Sequence, residues 1–300
     1  MIDKDLINMT SNPFDSYHYL DVLIITLKSK LHKKIKSIQD ILPYANVSLQ
    51  NGVDVRKSSA QNLYNSGTIS PTAYTTIQEG RKWHWEINSN GAVGLILANR
   101  IALKKGDNSL LLLEDDFYIK KTKQFSREIN ILQQNTESFD IAVFGALFHG
   151  KAKDLIEADF MPKGWYFMKT NKFWYTHCVL YSPMGRKKIR NILEEGKYSM
   201  QIDGLYSFLA ETNIINVLLQ VQDSSVVQNA HLSEIQNDSC SVCDEQPNYS
   251  LDMKPSSHVL QNILKIIFFA VLITIVLVFV SCKLFRSKHH AKYNHLLSHI

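Results

Sequence analysis

The sequence predicts an α/β domain built on a mixed, mainly parallel sheet, followed by one C-terminal transmembrane helix. Three observations predict it. Strand-like and helix-like segments alternate from residue 19 to residue 236, the trace that successive βαβ units leave in a chain. Leu110 to Leu113 run without interruption, as in a strand covered on both faces. From Ile266 to Cys282 no charged residue occurs, and with Lys265 and Lys283 snorkelling at its ends the apolar stretch reaches about 20 residues, enough to span a bilayer.

The elements follow in order. Residues 19 to 26, YLDVLIIT, read as a strand, and Leu31, Ile35, Ile38 and Leu42 then recur at helical spacing up to Pro43. NVSLQNGVD, 46 to 54, reads as a second short strand. A long irregular region precedes a helix over 91 to 105, stopped by Gly106, which feeds the leucine run ending at Glu114. A helix over 124 to 134 and a strand over 139 to 145 come next. The aromatic segment 164 to 182 is extended, one or two strands or a hairpin flanking the sheet. Pro183 opens a helix to Glu194 at the turn where proline is tolerated. QIDGLYSFLAET gives a short helix and NIINVLLQV a last strand.

Around this domain (19–236) the sequence places an N-terminal extension (1–18), a Ser-, Asp-, Asn- and Pro-rich stalk (237–258), the membrane span (259–284) and a basic tail (285–300). The tail carries no acid, and the positive-inside bias puts it in the cytoplasm. The N-terminus lacks a signal pattern, which argues for a tail-anchored domain left in the cytosol. The two readings disagree, so the side of the membrane stays open; four N-x-S/T sequons, at Asn8, Asn46, Asn237 and Asn248, match about the number chance supplies. Net charge is +5, and the short basic clusters lie on helix-like segments as solvated faces, so no nucleic-acid partner is expected. Cys178 reads as a buried thiol, and Cys240 and Cys243 form a lone CxxC that lacks the second pair of a zinc site.

Glu114, Asp115 and Asp116 directly follow the leucines. Ligands of open α/β sheets bind beyond the carboxyl ends of strands, and closely spaced carboxylates there can share a divalent cation that also meets phosphate oxygens. An acidic turn that merely caps the next element is the competing reading. The order of motifs, QNGVDV, GAVGLILANRIAL, LLLLEDDF, YTHCVLYSPMGRKKI, QIDGLY and VVQNAHLSEI, resembles glycosyltransferase family 25 over residues 19 to 236. Its most specific element is the glycine-containing helix leading into LLLLEDDF.

The resemblance implies a GT-A (nucleotide-diphospho-sugar transferase) fold, a nucleotide-sugar donor, UDP-linked, and Mn2+ or Mg2+. Asp116 would ligate the metal with Glu114, and His231 would reach back as a third ligand. Glu114 or Asp115 would meet the ribose, Asp54 would lie near the nucleoside, and Asn99 stands where the family has an imidazole. Asp203 would take the proton from the acceptor hydroxyl in an inverting transfer. An N-cap role competes for Asp203, an ordinary turn role for Asp54 and a surface role for His231. Ala98-Asn99 in place of Ser-His and lysines in LKSKLHKK in place of arginine depart from the family. The resulting expectation is a membrane-anchored, metal-dependent hexosyltransferase acting on a glycan or glycoprotein hydroxyl. A catalytically lapsed, membrane-tethered binding protein is the alternative.

Overall fold

The structure, a computed structural model, describes residues 19–28, 31–151, 154–168 and 172–228. The chain divides into two units, Met1–Glu245 and Gln246–Ile300, and the second lies outside the described residues.

β1 (Leu20–Thr26), β2 (Asn46–Asn51), β3 (Ser109–Glu114), β5 (Ile141–Val143), β7 (Leu155–Glu157), β8 (Trp165–Met168), β10 (Cys178–Tyr181) and β11 (Val217–Gln220) form one sheet, in the order β2-β1-β3-β10-β5-β11-β8-β7. The expectation of a mainly parallel sheet is corrected. β1 pairs β2 and β3 in parallel and β11 pairs β5 in parallel, but the other four pairings are antiparallel. The cause is β10. Its segment was expected to flank the sheet, yet it runs backwards between β3 and β5, with Cys178 opposite Leu113 and Tyr181 opposite Leu110.

The leucine run is central, as its composition requires. Leu110 and Leu112 pack on one face with α4 (Asn90–Leu103), α6 (Pro183–Glu194) and α7 (Ile202–Glu211), through Val93, Ile96, Ile189 and Tyr206. Leu111 and Leu113 pack on the other, against Ile38 of α1 (His32–Ile41) and Phe125, Ile129 and Leu132 of α5 (Thr122–Gln134). Alternation of side chains along one strand thus feeds two cores.

The region expected to be irregular contains α2 (Ala60–Asn65) and α3 (Pro71–Glu79). Each has a serine cap: Ser59 accepts from the Asn62 N–H and Ser70 from the Ala73 N–H, with Pro71 in the first turn. Ser89 caps α4 and Ser182 caps α6 in the same way. Short pairs β4 (Phe117–Ile119) with β12 (Val226–Gln228) and β6 (Leu147–Phe148) with β9 (Phe173–Trp174) lie outside the main sheet.

Among the described residues no helix is long and apolar enough to cross a membrane; the expected single-pass anchor, with its bilayer partner and membrane localisation, is not found among them. The longest described helix, α4, has 14 residues, about 21 Å at 1.5 Å per residue, short of a hydrocarbon core of about 30 Å. Residues 259–284, where the span was placed, lie outside the described residues, as do Cys240, Cys243 and the stalk.

Candidate active site

The parallel strands β1, β2 and β3 end together. Thr26 stands opposite Asn51, and Ile25 opposite Glu114. Because β10 runs the other way, its start lies at this same edge, and the Glu114 N–H donates to the His177 carbonyl at 2.9 Å. Gly145, just past β5, sits against the His177 ring in the left-handed region (φ +65); a Cβ there would lie 2.6 Å from the Val226 carbonyl and 3.1 Å from His177 Nε2. Only glycine lets the chain pass this close to the imidazole.

The three acids then diverge. Asp115 turns toward β1, accepting from Thr26 Oγ1 at 2.7 Å with Lys28 Nζ 3.7 Å away. Lys34 of α1 donates to the Asp115 and Phe117 carbonyls and lies 4.7 Å above the Phe117 ring. Burial lowers its pKa, and the Asp115 and Asp116 charges oppose that shift. Asp116 turns the other way and accepts from Gln228 Nε2 of β12 at 2.6 Å. Its Oδ1, and both ring nitrogens of His177, are buried with no hydrogen-bond partner. Burial holds His177 down to about 4 against the pull of Asp116, so the ring is neutral above that pH.

Glu114 remains at the strand end. Burial, then the charges of Asp116, Asp203 and Asp115, push its carboxyl up to about 8. Asp203 thus reaches the acids from α7 across 89 positions of sequence from Glu114. It is not the N-cap, which is Gln201; it lies in the first helical turn. Its own pKa is raised by burial, while N–H groups of Gly204, Tyr175 and Asp203 itself act in the other direction.

Asn99 is buried, donating to the Leu95 carbonyl at 3.0 Å and accepting from Tyr181 Oη at 3.3 Å, and Tyr181 is joined to Tyr206 at 2.7 Å. The Glu114 charge acts on both tyrosines, so Asn99 belongs to the polar layer beneath the acids. Asp54 is exposed and engaged by Arg56, Nε at 2.9 Å and Nη2 at 2.8 Å, which holds its carboxyl down at about 2. Its loop lies on α4: a Cβ on Gly94 would come 2.3 Å from the Val53 carbonyl.

The expected metal centre is corrected. Among the described residues no group of three or more His, Cys, Asp and Glu side chains could hold a metal ion. The physical reason is the divergence just described: Asp115 faces Thr26 and Lys28, while Asp116 turns the other way, its Oδ2 taken by Gln228 and only its Oδ1 left without a partner. Within the described residues the donor set is smaller than the one the resemblance implied for Mn2+ or Mg2+. His231, the third expected ligand, lies outside the described residues.

His177 was missed. Its sequence signal was its place directly before the strand CVLY, which matters only once that strand is known to run antiparallel to β3. Gln228 was missed for the same reason.

The chain matches no protein-family model and no curated protein. Matches do occur among solved structures, to 45 chains. One is the crystal structure of a mannose-1-phosphate geranyltransferase from Thermus thermophilus, 12% identical, with a TM-score of 0.32, covering 70% of this chain and 76% of that one. It is a distant, low-identity match to an enzyme of loosely similar fold, and it does not single out glycosyltransferase family 25. A likeness that loose carries no activity to this chain.

Proposed function

We propose that this domain is a GT-A-type glycosyltransferase that handles a nucleotide sugar and passes its glycosyl group to an acceptor hydroxyl. The observation that carries the reading is the convergence of Asp116 and Asp203 on Glu114 at the carboxyl ends of parallel strands, the crevice where α/β sheets bind ligands. In the transfer, the acceptor oxygen bonds to the anomeric carbon as the bond from that carbon to the phosphate oxygen breaks. The nucleoside diphosphate leaves with the electron pair, and Asp203 takes the acceptor proton. A raised carboxylate pKa suits that task. Glu114, protonated at neutral pH, supplies an O–H donor to the ligand. Lys28 and Lys34 are cations that the chain itself places beside the acidic turn.

The test is release of nucleoside diphosphate by the full chain from a panel of nucleoside-diphosphate sugars, UDP-linked first, with and without a chelator. Asp203→Asn is expected to lower turnover about 100- to 10,000-fold, the range for loss of a general base, with donor binding retained. Absence of both donor binding and release across the panel overturns the proposal.

A further inference from the structure

Beside Asp203 the surface carries an aromatic ledge that the chemistry above leaves unused. Trp83 is 51% and Tyr175 44% exposed, although large aromatics usually bury most of their area. Each adjoins one member of a touching ring pair, His84 and Trp174, whose centroids are 4.4 Å apart in an edge-on arrangement. His149 stands 6.0 Å from Trp174. The loop bearing Trp83 is pinned: Glu86 Oε2 accepts from the Lys82 and Trp83 N–H groups at 2.7 and 2.9 Å. Gln201, two positions before Asp203, donates to the His84 and Glu86 carbonyls at 3.0 and 2.9 Å.

Tyr175 joins the ledge directly to the carboxylate. Its backbone occupies the left-handed region, φ 73, a strained conformation, for a residue with a side chain, that clusters at functional positions. Its N–H bonds the Asp203 carboxylate, and its ring lies 6.4 Å from His177.

We infer that the ledge of Trp83 and Tyr175, with His84 between them and the buried Trp174 behind, is the acceptor subsite and that it takes a neutral pyranose ring of a glycan. A pyranose offers a C–H face to stack on exposed aromatic rings and a rim of hydroxyls for imidazole and carboxylate partners, the mix of broad apolar contact and few polar groups typical of ligand sites. Burial, then the charges of Arg81 and His149, hold His84 down at about 4, so its imidazole is neutral and offers a hydroxyl both a donor and an acceptor, and burial lowers His149 as well. Position decides the role: a sugar on this surface presents its hydroxyl to Asp203. The assignment rests on the transferase reading for the word acceptor, but not for the binding itself.

The test uses the full chain on a printed array of neutral di- to tetrasaccharides, then titration calorimetry with the best binder. Trp83→Ala and Tyr175→Gly are expected to weaken that binding roughly 10-fold each, the size of one aromatic contact. Binding of UDP-sugar should stay unchanged. Glycine relieves the left-handed backbone, so the melting temperature of Tyr175→Gly should not fall, which separates a lost contact from a lost fold. If no oligosaccharide binds, or both variants bind as tightly as the unaltered chain, the subsite is overturned. If binding is lost in the variants while no nucleoside-diphosphate sugar is bound or cleaved, the subsite stands and the transferase reading falls. If transfer proceeds with the acceptor KM unmoved in both variants, the transferase reading stands and the subsite falls.

Discussion

The two ends of β3 are built on opposite principles. At the amino end Arg186 is fully buried and satisfied: Nε donates to the Leu103 carbonyl at 3.1 Å and Nη1 to the Asn108 carbonyl at 2.9 Å, with Asp21 Oδ2 at 3.4 Å. A cation on the last carbonyls of α4 meets both their unpaired lone pairs and the helix dipole. At the carboxyl end, like charges crowd Glu114, and Asp116 Oδ1 and both His177 nitrogens find no partner. Buried polar groups are nearly always paired; at the amino end Ser109 Oγ also lacks a partner, but only at the carboxyl end do unpaired atoms of two residues gather beside a carboxyl pushed far from its ordinary pKa, the combination that marks a functional site. One end of the strand is a joint and the other a site.

Breaking the joint should have the largest effect on stability. Arg186→Met strands the Leu103 and Asn108 carbonyls and leaves Asp21 without its buried cation, an expected loss of about 3–5 kcal/mol in urea unfolding. Turnover per folded molecule should be preserved. The site should show the reverse at Asp203. Asp203→Asn removes a carboxylate whose charge is disfavoured by burial, so the rate falls steeply while the melting temperature holds or rises; a fall in both would make Asp203 part of the joint.

A smaller effect separates the two ends by pH. A carboxyl pushed up to about 8 in the fold, from 4.5 in the unfolded chain, binds its proton more tightly when folded. The stability it contributes is complete below about pH 4.5 and is lost as pH rises to about 8. Glu114→Gln should therefore flatten that decline and exceed the unaltered chain at pH 8 by up to about 4 kcal/mol, measured by melting at pH 5 and pH 8; an unchanged slope would place the charge elsewhere. Smallest is Thr26→Val, which deletes the hydroxyl donor to Asp115. About 1 kcal/mol is expected from a partly exposed hydrogen bond, read by urea unfolding.

A second contrast shows where sequence reading stops. Glu128 of α5 is as charged in the sequence as Glu114, yet it is buried among donors: Gln220 Nε2 at 2.7 and 2.8 Å, Ser225 Oγ at 2.6 Å and Trp165 Nε1 at 3.1 Å. Nothing near Glu128 in the chain announces partners 37 to 97 positions away. Asp54 shows the opposite case, since its partner Arg56 is two residues on and was in view.

The sequence by itself determined what depends on near neighbours. The βα alternation, the central leucine strand, the proline-opened α6 and the acids at a strand end all follow from periodicity and capping within a dozen residues. The tertiary structure alone decided what depends on register. Placing Cys178 opposite Leu113 makes the sheet mixed and brings His177 to the acids, pairing β12 with β4 brings Gln228 to Asp116, and the turn splits three adjacent carboxylates among separate partners. Strand direction and register are fixed by packing between segments far apart in the chain, and a linear pattern holds no record of which distant segment will lie alongside.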